Sequence, residues 1–144
     1  MLKLISALVL SSVLFACGGG KHFWAAQPVS GPVTVQPEEV WAHGGKLWVR
    51  VVLVNGTAAP IVVDRDQMVA RLPNGAIVHR AQGTYTQHTP YEIPPGASHP
   101  VYVEFPAEGW DWRDVPGAQI DFSAAVTSNG QPMPVPVLTV ANAP

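Results

Sequence analysis

The sequence predicts an all-β domain, an antiparallel sandwich of about seven strands that follows an N-terminal signal segment and a short linker. Three observations predict this class. Proline and glycine are abundant, at 15 and 13 of 144 residues, and only 12% of the residues are charged. The prolines are spread from Pro28 to Pro144, which leaves little room for a helix of three turns. Short alternating apolar segments recur at spacings near ten residues, with turn residues between them.

Residues 1–16 have the three parts of an export signal. Lys3 supplies the positive charge, residues 4–15 form an apolar run interrupted only by serines, and Ala16 is the small residue before the cleavage point. A helix of that apolar length rises roughly 18 Å, well short of a bilayer core of about 30 Å. The pattern therefore predicts a cleaved signal rather than a permanent transmembrane helix.

The stretch Leu14-Phe15-Ala16-Cys17 resembles the lipobox of bacterial lipoproteins. The resemblance implies a diacylglyceryl thioether on Cys17, cleavage before that residue, and acylation of its new amine by a fatty acid such as palmitate. It implies a membrane-anchored, extracytoplasmic protein and, in a diderm host, the outer membrane, because Gly18 rather than Asp follows. The chain has one cysteine, so lipidation leaves no thiol for a disulfide or a metal.

The chain divides into the signal peptide at 1–16, the lipidated cysteine and a flexible tether at 17–31, and a sandwich domain at 32–144. The tether is rich in glycine and, fully extended from Gly18, reaches at most roughly 50 Å. Phe23 and Trp24 interrupt it. They are interpreted either as contacts with the lipid interface or as side chains that pack back on the domain.

Within the domain, residues 46–55 are apolar on both faces, which predicts a central strand. A weaker strand is expected at 33–40, before a turn at 43–45. Asn74-Gly75 supplies the positive φ angles of a tight hairpin. Further segments are listed in chain order: strands at 61–63, 68–72, 76–80, an irregular one at 84–87, strands at 101–105 and 120–126, and turns at 55–57, 94–96 and 128–131.

The last strand contains Pro132, Pro134 and Pro136, whose missing N–H groups would lie on one side of an extended chain. This predicts a final edge strand whose outer edge cannot recruit another chain. The alternative is a polyproline-like tail without a partner. Because residues 138–140 continue as ordinary strand sequence, the edge strand is favoured.

Residues 48–105 resemble Ig-like domains of unknown function carried by bacterial lipoproteins. The shared elements are an apolar strand that ends in Asn55-Gly56-Thr57, a hairpin through Asn74-Gly75, and Pro95-Gly96 before an alternating strand. Some intracellular proteinase-inhibitor domains share this outline. The disulfide of antibody-type domains is absent.

Charge and motifs exclude several classes of function. Without residues 1–16 the chain has seven basic and ten acidic side chains and no basic patch, so nucleic acid is a poor partner. No serine lies in a Gly-x-Ser-x-Gly elbow and no glycine-rich loop opens a helix. We therefore expect no enzymatic activity and no cofactor.

A metal site is not expected either. No two histidines are three or four residues apart; they are His22, His43, His79, His88 and His99. Met68 and Met133 are too isolated for a copper cluster. Asp64-Arg65-Asp66 is interpreted as a turn with local ion pairing rather than a calcium loop.

Residues 108–114 contain the candidate binding residues Trp110, Asp111, Trp112 and Arg113. Two tryptophans two residues apart share a face of an extended segment, which suits sugar stacking or a protein hot spot. The alternative, which we favour, is that one tryptophan plugs the open end of the sandwich while Arg113 pairs with an aspartate.

The leading hypothesis is a non-enzymatic, lipid-anchored module that contacts an envelope protein. The competing class is a small-ligand or glycan-binding module that uses Trp110, Trp112 and either Tyr85 or Tyr91. A protease-inhibitor-like domain is a third possibility.

Overall fold

The structure, a computed structural model, describes residues 19–25, 31–81 and 89–142, and these contain twelve strands and two short 3-10 helices. The strands are β1 Lys21–Ala25, β2 Val33–His43, β3 Lys46–Asn55, β4 Ile61–Val63, β5 Val69–Arg71, β6 Ile77–His79, β7 Tyr91–Ile93, β8 Ser98–Pro106, β9 Gln119–Asp121, β10 Val126–Ser128, β11 Gln131–Pro132 and β12 Leu138–Asn142. The 3-10 helices are Arg65–Gln67 and Trp112–Asp114. The predicted signal peptide, Cys17, Tyr85, His88 and the strand expected at 84–87 lie outside the described residues.

The described strands form two antiparallel sheets in a sandwich-like or barrel-like arrangement. One sheet has the order β6-β5-β9-β12-β1-β2-β3-β8, and the other has the order β11-β10-β4-β7. The outer strands of the large sheet approach each other, and the Ala81 N–H donates to the Glu104 carbonyl over 2.7 Å. The all-β fold class is therefore confirmed.

β3 is the central strand that the sequence predicts, with the same bounds. It pairs with β2 on one side and β8 on the other along nearly its whole length. Its inward side chains are fully buried; they are Leu47, Val49, Val51 and Leu53. They face a core that Ile61, Ile120 and Phe122 complete from other parts of the chain.

Several predicted segments are divided in the structure, so there are more strands than about seven. Residues 120–126, expected as one strand, form the end of β9 and the start of β10. A turn at 123–125 separates them and moves the chain from the large sheet to the small one. The Asn74-Gly75 hairpin does join β5 to β6, and Gly75 has a φ of 88°.

The prediction of a flexible tether at 17–31 is wrong for residues 21–25, which form β1 within the large sheet. β1 pairs with β2 through Lys21 and His22 and with β12 through the next three residues. Phe23 is 8% exposed and belongs to the core, so it packs back on the domain. Burial of this ring stabilises a segment whose glycine-rich surroundings indicate a linker.

The prediction of a proline-protected final edge strand is correct only for the first residues of the segment. Gln131–Pro132 pair as β11 at an edge of the small sheet, and the Met133 N–H donates to the Val126 carbonyl over 2.9 Å. Residues 133–137 are not a strand, because alternate prolines remove the N–H groups that a ladder needs. The chain then returns to the large sheet as β12, which lies between β9 and β1 rather than at an edge.

One end of the large sheet contains the β2–β3 turn (43–46), the start of β1 and the 3-10 helix Trp112–Asp114, and is called the hairpin end below. The Ala107 N–H donates to the Gly45 carbonyl over 2.9 Å. The Lys21 Nζ donates to the Arg113 carbonyl over 2.9 Å. The first bond ties the turn to the residue that follows β8, and the second ties the start of β1 to the 3-10 helix.

Candidate binding surface

The predicted binding loop is a capped turn at the hairpin end. The Asp111 carboxylate accepts from the backbone N–H of Arg113 at 2.9 Å, which caps the 3-10 helix. The Arg113 Nε donates to the other oxygen of the same carboxylate at 2.9 Å. These hydrogen bonds hold the pKa of Asp111 below its ordinary value of 3.8.

The two tryptophans of this loop have different environments. Trp112 is 1% exposed, and its Nε1–H donates to the Phe105 carbonyl over 2.9 Å. Trp110 is half-buried and meets Trp112 edge-on, with centroids 4.4 Å apart. Trp112 is therefore a core side chain that cannot stack on a ligand, as in the plug interpretation.

A larger aromatic surface lies on the outer face of the large sheet. Trp41 on β2, Trp48 on β3 and Tyr102 on β8 are all half-exposed and in mutual contact. The two indoles are stacked at 5.7 Å between centroids and 9° between planes. The Tyr102 ring lies 5.5 Å from Trp48 and 6.2 Å from Trp41. These three residues are called the aromatic patch.

Charged side chains surround the aromatic patch. Lys46 lies 5.4 Å from the Trp48 ring centroid, and its Nζ donates to the nearly buried Glu104 carboxylate at 2.7 Å. Arg50, opposite Tyr102 in the register, bridges Glu38 at 3.0 Å and Glu39 at 3.6 Å. The surface thus has an aromatic centre and a rim of ion pairs.

Sequence reasoning missed the aromatic patch, although a signal for it exists. The turn at Gly44-Gly45 has φ values of 60° and 75°, as a two-residue hairpin loop requires. Such a loop fixes the register and places Trp41 directly opposite Trp48. The position of Tyr102 depends on a pairing between distant segments, which no local pattern indicates.

The remaining candidate residues are not brought together. His22, His43, His79 and His99 are exposed, and no group of three metal-ligating side chains exists among the residues that the structure describes. Tyr91, named for the glycan alternative, contacts the His99 ring at 4.5 Å, and burial raises the pKa of its hydroxyl to about 12. It is a packing residue rather than an open ligand contact.

The segment Asp64-Arg65-Asp66 forms a capped 3-10 turn, as its interpretation expects. The Asp64 carboxylate accepts from the Asp66 N–H at 3.0 Å, and Asp66 pairs with Arg80. Arg65 is buried, and its Nη1 donates to the backbone carbonyl of Tyr102 at 2.8 Å. Desolvation by burial lowers the pKa of Arg65. Its side chain therefore holds the backbone of β8 at Tyr102, a residue of the aromatic patch.

Comparison with known proteins identifies no family for the chain. No protein-family model matches it, and no curated protein matches it. An X-ray structure described as Northeast Structural Genomics Consortium target SoR45 aligns over 88% of this chain and 85% of that one, with 12% identity and a TM-score of 0.43. That match carries no functional argument.

Within the described ranges, no helix is long and apolar enough to cross a membrane.

Proposed function

We propose that this chain is a lipid-anchored, extracytoplasmic, Ig-like module of the cell envelope that binds a protein through the aromatic patch and catalyses no reaction. The observation that carries the proposal is the patch itself, three half-exposed aromatic rings beside Arg50. Tryptophan, tyrosine and arginine are the residues most enriched at binding hot spots. The anchor is supported by the lipobox resemblance at Leu14–Cys17.

The organisation of the surface supports a protein partner. Protein interfaces combine a desolvated aromatic centre with a polar rim. Here Lys46–Glu104 and Arg50 with its two glutamates flank the rings. Contacts between neighbouring strands already restrict the aromatic side chains, so little side-chain entropy is lost when a partner binds.

The packing of the rings favours a protein over a sugar. A sugar ring stacks on an open aromatic face. Trp48 contacts Trp41 face to face, Tyr102 at 46° and the Lys46 ammonium. Its faces are therefore shared with neighbours, and its Nε1–H donates to the His43 carbonyl over 3.0 Å, so the half-exposed ring offers no open face to a sugar. The buried Trp112 gives the glycan alternative no support in the loop.

Site-specific photo-crosslinking in intact cells tests the proposal. A photoreactive residue replaces Val52, which is half-exposed on the outer face of β3, and the control position is the exposed Thr139 on β12. We expect a discrete protein adduct from position 52 and none from position 139. Trp48→Ala should weaken the adduct by about 30-fold, as removal of a hot-spot residue does.

A denaturation curve of Trp48→Ala confirms that the variant is folded under the conditions of the crosslinking. The proposal is contradicted if position 52 gives no adduct in any growth condition. It is equally contradicted if Trp48→Ala leaves the adduct unchanged in a folded protein.

A further inference from the structure

We propose that the hairpin end rests against a phospholipid headgroup surface, so that the domain is held in one orientation instead of moving on a long tether. The proposed occupant is the membrane that contains the lipid on Cys17. The inference rests on the anchor in the proposed function and is independent of the protein partner.

The length of free chain is the first argument. At Gly20 the chain already packs against β2: a Cβ at this position would lie 3.0 Å from the Ala42 carbonyl oxygen and 3.2 Å from the Cβ of His43. Only three residue steps separate Cys17 from Gly20, and they span at most about 11 Å. The lipid attachment point therefore lies no further than this from the hairpin end.

The start of β1 is held on several sides, which keeps this distance short. Lys21 and His22 are in register with Ala42 and Trp41 of β2. The Lys21 side chain donates to the Arg113 carbonyl, and the following residues pair with β12. Lengthening the tether would require β1 to leave the sheet and expose the Phe23 ring.

The hairpin end also has suitable chemistry for headgroups. A groove of about 340 Å³ lies between Gly20, the β2–β3 turn and the 3-10 helix at 112–114. Lys46 and Arg113 line it, with side chains 30% and 52% exposed. Both cations already pair with carboxylates, and Lys21 and Asp114 at the same end are of opposite charge. This surface therefore carries little net charge and suits a zwitterionic layer.

Because the hairpin end is nearly neutral, the lipid and the protein surface have different roles in membrane binding. Polybasic surfaces add membrane affinity for each lysine or arginine close to anionic lipid, whereas paired cations add little. The acyl chains supply the attachment, and the hairpin end supplies the orientation. A chain of at most about 11 Å from the lipid keeps this end of the domain next to the headgroup layer.

The test uses an introduced cysteine as a unique thiol, because the native cysteine is lipidated under the proposal. His43→Cys places the thiol at the hairpin end, and Ala58→Cys places it in the loop after β3, about 30 Å away along the strand. Each lipidated protein, cleaved before Cys17, is labelled with a nitroxide and reconstituted in phosphatidylcholine vesicles that contain a nickel-chelating lipid.

We expect the headgroup nickel to relax the nitroxide at position 43 several-fold more strongly than the one at position 58. Inserting a six-residue Gly-Ser segment between Gly18 and Gly19 leaves the lipid and the fold in place and should abolish this difference. Equal relaxation at both positions, or a difference that survives the insertion, would overturn the inference.

Lipidation of Cys17 and membrane binding are tested separately in the same preparation. Mass spectrometry measures the lipid on Cys17, and Cys17→Ala should lose vesicle binding. If the unaltered chain carries no lipid and does not bind vesicles, the anchor and the orientation both fail. If it is lipidated and bound while the two labels behave alike, only the orientation fails.

Discussion

The two tryptophan pairs of this protein differ in sequence separation, ring geometry and exposure. Trp110 and Trp112 are neighbours in the loop, yet one is buried and they meet edge-on at 4.4 Å. Trp41 and Trp48 lie on two strands, are stacked at 5.7 Å and are both half-exposed. The loop crosses the open end of the fold and fills it, whereas nothing among the described residues covers the outer face of β3. The exposure of each tryptophan therefore depends on what covers its ring and not on its spacing in the sequence.

The largest effect is expected where a tryptophan belongs to the core. Trp112→Ala removes a buried indole and its hydrogen bond to Phe105, so the free energy of unfolding should fall by about 3–5 kcal/mol. Urea unfolding measures it. Trp112→Phe, the matched control, keeps most of the burial and should lose less. A loss below about 1 kcal/mol for Trp112→Ala would contradict the interpretation that Trp112 fills the open end of the fold.

A smaller effect is expected in the aromatic patch, and a double-mutant cycle isolates it. Trp41→Ala and Trp48→Ala each remove a half-exposed ring, so their losses should be smaller than that of Trp112→Ala. The coupling between them should be about 0.5–1.5 kcal/mol, as for stacked aromatic pairs. Unfolding of the two single variants and the double variant measures it. A coupling of zero would mean that the rings are not stacked in solution.

The smallest effect is expected in the capped turn that contains Trp112, and it depends on pH. Asp111→Ala should lower the unfolding temperature slightly at neutral pH, because the cap and the Arg113 pair are lost. The pKa of Asp111 is lowered in the folded state, so its contribution is present above the unfolded value of 3.8 and is lost as pH falls through the folded pKa. Thermal unfolding from pH 7 to pH 2 should show the two proteins converging.

Asp114→Ala, in the same turn, is the matched control for that series. It removes a carboxylate without removing the cap that Asp111 provides. A difference between Asp111→Ala and the unaltered chain that persists undiminished at pH 2 would contradict the assignment to the carboxylate.

The fold was predictable where information is local. The alternation in β3 gives its bounds, and Asn74-Gly75 gives the β5–β6 turn. β1 was not predictable, because its pairing with β12 joins the two ends of the described chain and its glycine-rich context indicates a linker. The pairing of Trp41 with Trp48 could be predicted from the register of the β2–β3 hairpin. The burial of Trp112 could not, because it depends on distant segments that no short pattern indicates.

The position of β1 between β2 and β12 has a mechanical consequence. A force applied to the chain at residue 17 in the direction of β1 reaches the fold at Gly20 and the start of that strand. The backbone hydrogen bonds on both sides of that strand then share the load in shear rather than opening one after another. The same arrangement couples the two ends of the described chain, because β1 can be fully paired only after residues 140–142 have folded against it.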